Sequence, residues 1–216
     1  MGAGGEARLQ GERLRHARLG APPLRHGVSP RGRHLSAAGI YALHKPRTFV
    51  VSRVREGGAR TVFELLPDAY RDWFAVGRLD KDSEGLLLFC DDPRLAQRLM
   101  DPGAVAKRYL VTVVGFPDEE ALEPMRQGGL VIDGQPARAA EVRRLGKAPR
   151  GGTRFEVVLH EGRNREIRRL FLAAGFKVRR LVRTAVGPVE LGDLPEGEGR
   201  ELTPAEVAAL RTLLGR

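Results

Sequence analysis

Two apolar runs of strand length, Trp73–Val76 and Leu86–Cys90, enclose a short segment dense in charge and turn-forming residues. Runs this short, bounded by glycine and aspartate, read as strands, so the pair predicts two neighbouring strands of a sheet and a tight connection between them. That connection, Gly77-Arg78-Leu79-Asp80-Lys81-Asp82-Ser83-Glu84-Gly85, lifts Arg78, Asp80, Lys81, Asp82 and Glu84 to the rim. Flanking strands hold such a loop in place, which suits it to carry a site. The same composition also suits an ordinary surface turn, where Asp, Ser and Gly hydrogen-bond locally. Spacing alone does not separate the two.

The other elements are short and alternate between strand and helix signals. Ile40–Pro46 reads as a strand stopped by proline, and Thr48–Ser52 as the next strand. Thr61 is placed to cap a short helix over Val62–Leu66, and Asp92-Pro93 to start one over Arg94–Met100. Lys107–Gly115 predicts a strand and Asp118–Met125 a helix. Short strands through Leu130–Ile132 and Ala139–Arg143 are expected to join at Asp133-Gly134, followed by a loop over Gly146–Gly152. Arg154–His160 alternates as a half-buried strand does, and Lys177–Val182 predicts another before a turn at Gly187-Pro188. Thr203-Pro204-Ala205-Glu206 is a capping box that opens a helix to about Leu214.

Charge narrows the partner. The 216 residues carry a formal net charge of +10, a bias that attracts polyanions or anionic surfaces and says little about fold. Residues 1–36 hold seven arginines against two glutamates and predict a basic, poorly ordered arm ahead of a folded domain over 37–216. Between Glu161 and Gly175, Ile167, Leu170, Phe171 and Ala174 share one helical face while Arg165, Arg168 and Arg169 share another. Gly175 supplies the stop. From His160 to Arg183 eight lysines and arginines face two glutamates. Arginine favours planar phosphate contacts, so a nucleic acid is the expected partner, RNA before duplex DNA because no recognition-helix motif is present.

Several classes drop out. A single cysteine, Cys90, leaves no disulfide framework or cysteine zinc site and suggests a reducing, cytoplasmic setting. No run of about 18 apolar residues suggests a membrane span, and no cluster has metal-ligand spacing. Neither a phosphate-cradling loop nor a dinucleotide fingerprint occurs. Chemistry without metal or organic cofactor is therefore expected.

Gly77-Arg78-Leu79-Asp80 with Ser83-x-Gly85-Leu86-Leu87 resembles the active-site signature of the RsuA/RluB/RluE/RluF family of pseudouridine synthases. Further stretches resemble the same family in order: Leu43-x-Lys45-Pro46, Lys107-x-Tyr109-x-Val111, Glu161-Gly162-Arg163-Asn164-Arg165-x-Ile167-Arg168-Arg169, and Leu181-x-Arg183 with Gly187. The resemblance implies an α+β pseudouridine synthase fold, a bent, mostly antiparallel mixed sheet flanked by helices with a central basic cleft. It implies isomerisation of a uridine in structured RNA, with 23S-type ribosomal RNA the first expectation and a monomer the expected state. By the same resemblance Asp80, Tyr109 and Arg168 are catalytic, as carboxylate, base-stacking aromatic and cationic partner. Arg78, Lys45, Ile167, Lys107, Arg163, Arg165, Arg169 and Arg183 are expected to bind substrate or RNA, Arg78 by filling the space of the flipped nucleotide. Many relatives carry a small RNA-binding domain where this chain has its arginine-rich arm. The alternative is a non-catalytic RNA-binding factor in ribosome assembly. A nucleoside hydrolase would instead use paired carboxylates.

Overall fold

The computed structural model describes residues 39–132 and 134–215. The basic arm expected over residues 1–36 lies outside them. In chain order the strands are β1 (Ile40–Lys45), β2 (Phe74–Val76), β3 (Glu84–Cys90), β4 (Lys107–Val113), β5 (Leu130–Ile132), β6 (Gln135–Ala137), β7 (Glu141–Lys147), β8 (Thr153–Leu159), β9 (Val178–Val186), β10 (Val189–Glu190) and β11 (Gly199–Glu201). The helices are α1 (Pro93–Met100), α2 (Glu119–Gln127), α3 (Glu166–Ala173) and α4 (Pro204–Leu213). Three of them, α1, α2 and α4, begin at a side-chain cap. Asp92 accepts from the Arg94 amide, Asp118 from the Ala121 amide, and Thr203 with Glu206 forms the expected capping box.

Nine strands form one sheet in the order β11-β1-β3-β9-β4-β8-β7, with β2 on β3 and β10 on β9; β5 and β6 make a separate hairpin. Every pairing in the large sheet is antiparallel except β3 with β9, which meet in parallel over Glu84↔Val182 and Gly85↔Arg183. That short seam joins two halves. In the first, β3 is buried along its whole length, because both faces of β1 and β3 are covered. Ile40, Ala42, Leu86, Leu88 and Cys90 pack with Ala96 and Leu99 of α1 and Val207 and Leu210 of α4. Tyr41, Leu43, Leu87 and Phe89 face the other way onto Phe49, Val62 and Leu66. In the second half Val111, Val113, Phe155, Val157 and Leu181 pack under Leu122 and Met125 of α2 and Leu170 and Phe171 of α3.

Three local expectations need correction. Thr48–Ser52 is not a strand: it makes only a lone bridge between Val50 and Thr61. Both edges of β1 are already taken by β3 and β11, so Phe49 and Val51 pack on the aromatic side without a ladder. The hairpin after Leu130–Ile132 closes on Gln135–Ala137, with Ile132 opposite Gln135, because a two-residue turn leaves no room for a later partner. Residues 141–147 belong instead to β7, which runs through Gly146 at a register shift, so the expected loop begins after it. Among the described residues no helix is long and apolar enough to cross a membrane, and no group of three or more His, Cys, Asp or Glu could hold a metal ion.

Candidate active site

The edge of β3 not used by β1 is shared by two partners, β2 at Leu88–Cys90 and β9 at Glu84–Gly85. Residues 77–83 leave the sheet between them. Gly85 makes the seam possible: at φ 111° it takes a conformation that side chains avoid, and a Cβ there would overlap the Arg183 backbone. The loop is then pinned by donors aimed at its carbonyls. Ser83 N–H donates to Asp80 O at 3.0 Å and Thr48 N–H to Lys81 O at 2.8 Å. Arg168 donates to Asp82 O at 3.0 Å and to Val178 O at 3.2 Å, which ties α3 and β9 to the same loop.

Lys45 corrects a sequence expectation. Its side chain is fully buried, and Nζ donates to Ser83 O at 2.7 Å, Pro46 O at 2.9 Å and Asp80 O at 3.1 Å. It therefore cannot reach RNA and acts as an internal clamp beneath Asp80. Burial pulls its pKa down to about 8, against the opposing pull of Asp80 and Glu84.

The Asp80 carboxylate lies 3.5 Å from the Arg165 guanidinium and 4.0 Å from Arg168 Nε. Arg165 also stands 3.8 Å from Asp82. So Arg168, expected as the cationic partner, is present, but Arg165 is nearer. Sequence periodicity placed Arg165 on the helix; it is instead the N-cap, with φ 51° and ψ 30° in the left-handed region, a conformation that costs a non-glycine residue energy and is held by its surroundings. Here Glu166 N–H donates to Arg163 O at 3.2 Å, and the Glu166 carboxylate accepts from Arg163 N–H at 3.1 Å. Arg168 is mostly buried, and its charge is disfavoured first by burial and then by Arg165, with Asp80 and Asp82 opposing.

Asp80 opens onto a cleft of about 610 Å³ lined by Arg78, Leu79, Lys107, Tyr109, Arg163, Arg165, Ile167, Leu181 and Arg183 among others. Lys107 and Tyr109 come from β4, Leu181 and Arg183 from β9, and the register sets Tyr109 opposite Arg183. Arg78 is exposed where it lines the cleft. Arg168 and Arg169 are not among the lining residues, and Arg163 is engaged with Glu161 at 2.9 Å and Pro136 O at 2.9 Å. Glu166 also lines the cleft, buried, with its carboxyl raised by that burial; no motif marked it, because its signal is only the turn it closes.

A model of the RNA pseudouridylate synthase family matches residues 39–173. An RNA pseudouridine synthase of Aquifex aeolicus, itself uncharacterized, is 39% identical over 80% of this chain and 70% of its own length. The ribosomal large subunit pseudouridine synthase B of Pasteurella multocida is 41% identical over 82% of this chain and 51% of its own. A crystal structure of a pseudouridylate synthase superposes with a TM-score of 0.71 at 29% identity, covering 80% of this chain and 74% of that one. The chain thus spans from about half to about seven tenths of the length of these curated relatives. The mostly antiparallel mixed sheet with its four described helices is the fold of an RNA pseudouridylate synthase, an isomerase class. The chain belongs to the RNA pseudouridylate synthase family, in the branch that contains RsuA and RluB.

Proposed function

We propose that the chain isomerises a uridine of large-subunit ribosomal RNA to pseudouridine, with Asp80 as the reacting carboxylate. The observation that carries this reading is one cleft holding Asp80, Tyr109 and Ile167, with two guanidinium groups within 4.0 Å of the Asp80 carboxylate. The name of the Pasteurella multocida relative supports the ribosomal target.

The residues divide the work. The base must leave its stack before either the glycosidic bond or C5 is reachable. Arg78, exposed where it lines the cleft, enters the vacated space in this reading. Tyr109 offers a ring on which the uracil stacks, an interaction typically worth about 1–3 kcal/mol per base. Asp80 is a carboxylate nucleophile or base poised at the anomeric carbon and ring edge. Arg165 and Arg168 hold its charge in place from two directions. Replacing Asp80 with asparagine tests this: tritium release from RNA labelled at uridine C5 should vanish, with RNA affinity and thermal melting unchanged. Turnover by the Asp80→Asn protein near the wild-type rate would end the assignment.

A further inference from the structure

The floor of the cleft carries a charged group that the Asp80 cluster does not use. Arg183 is 4% exposed, and its Nε donates to Leu86 O at 2.7 Å, which fixes the plane of the guanidinium. It lines the cleft, and its Nη2 is buried without a hydrogen-bond partner among the described residues. The adjacent buried acid, Glu84, is taken by Arg180 at 2.6 Å. A buried cationic donor left open is costly, so the fold holds an unfilled donor beside the site. Lys107, on the same face of β4 as Tyr109, adds a second cation, its charge disfavoured first by burial and then by Arg183.

The surroundings say what fills it. Tyr109 sits opposite Arg183 in the strand register, and Leu79, Leu159, Ile167 and Leu181 are the apolar walls. An apolar slot with a phenol at its side and a cationic donor in its floor suits a pyrimidine ring that presents a carbonyl edge. Among the arginines lining the cleft, Arg78 and Arg165 are exposed while Arg183 is buried, which sets Arg183 apart from a surface phosphate contact. We propose that Arg183, with Lys107 beside it, receives O4 of the extruded uracil, selects uridine over cytidine, and stabilises the negative charge the ring carries when detached from the ribose. When C1′–N1 breaks, the electron pair stays on the ring, delocalised over N1, O2 and O4. The C1′–C5 bond then forms, C5 loses its proton and N1 gains one. A fixed donor at a ring oxygen favours that charge without reorganising. Cytosine presents an amino donor in place of O4 and leaves the guanidinium opposed by N–H.

This inference rests on the pseudouridine-synthase reading, and its test keeps the two apart. The full chain is assayed on an unmodified transcript of large-subunit ribosomal RNA. Absence of pseudouridine with wild-type protein would sink the function itself. If wild type turns over, Arg183→Met should lower kcat by about a hundredfold or more, with RNA affinity and its salt slope unchanged, and Arg183→Lys should recover part of the rate. A Met variant with full kcat overturns the inference. So does a loss confined to affinity with the salt slope reduced by about one, the mark of a phosphate contact. The wild-type protein gives a second test without mutation: transcripts with 2-thiouridine or 4-thiouridine replace one ring oxygen by a weaker acceptor. The 4-thiouridine RNA should react about tenfold more slowly; slowing confined to the 2-thiouridine RNA, or equal rates for all three RNAs, overturns the inference.

Discussion

Replacing Lys45 with methionine keeps the length of a fully buried side chain while removing the ammonium that clamps the loop from below. The carbonyls of Pro46, Asp80 and Ser83 lose charged donors at 2.9, 3.1 and 2.7 Å. At about 1.5–3 kcal/mol for each hydrogen bond to a charged group, the gross loss is roughly 5–9 kcal/mol. Against it stands the cost of burying the charge. The fall of Lys45 from 10.5 to about 8 corresponds to roughly 3 kcal/mol, which methionine does not incur. The net destabilisation is therefore about 2–6 kcal/mol, a fall in Tm on the order of 5–20 °C for a domain of this size, readable by calorimetry. A displaced Asp80 should also cost about a hundredfold in turnover.

The pH dependence supplies the sign. Between about 8 and 10.5 the unfolded chain holds the Lys45 proton that the folded chain has released, so the unfolded state binds more protons and wild-type stability gains as pH rises. Below about 8 the burial penalty is fully present. The methionine variant lacks this gain, so the stability gap between the two proteins should widen across that window. The buried Tyr41 and Cys90, raised by burial to about 12 and about 11, are common to both proteins and cancel in the difference. A variant that melts within about 2 °C of wild type, where even the low end of the net loss predicts more, would refute the clamp.

Two further substitutions probe the site's construction. Gly85→Ala places a Cβ against the Arg183 backbone at a φ of 111°; the strain of at least about 1–3 kcal/mol should part β3 from β9 and abolish turnover, and a soluble, active Ala variant would contradict the close approach. Arg165→Gln removes the nearer cation from Asp80 while leaving the buried contacts of Arg168 in place. Its thermal melting should stay within about 0.5 kcal/mol of wild type, as for exposed ion pairs, while kcat falls. Arg168→Gln should lose both, and equal stability loss in the two variants would argue against this division.

Much of this was legible in the sequence because its signals are local. The caps at Asp92 and Thr203 act on the next few amides and start their helices as expected, and Asp118, read as the first residue of its helix, is the cap just before it. The charged loop between two apolar runs holds Asp80 as its residues suggested. What depended on the rest of the sheet was not legible. Thr48–Ser52 has a strand's alternation but no free edge to pair with. The two-residue β10 and three-residue β11 are strands only because β9 and β1 offer them partners. Lys45 was expected to bind substrate or RNA because a lysine beside proline carries no mark of burial; only the pairing of β1 with β3 turns it inward. Arg165 looked helical because one left-handed residue leaves no trace in an arginine-rich run.

The two rungs between β3 and β9 have an implication for how such an enzyme fails. Asp80 belongs to the part of the chain before that junction, while Tyr109, Arg165 and Arg183 belong to the part after it. Neither portion holds a working set of groups, so damage that merely separates them, with both remaining well packed, silences the chemistry outright. Loss of function and loss of stability need not coincide in this molecule, and screens for inactivating changes should find them clustered at Glu84, Gly85, Val182 and Arg183 as densely as around the carboxylate itself.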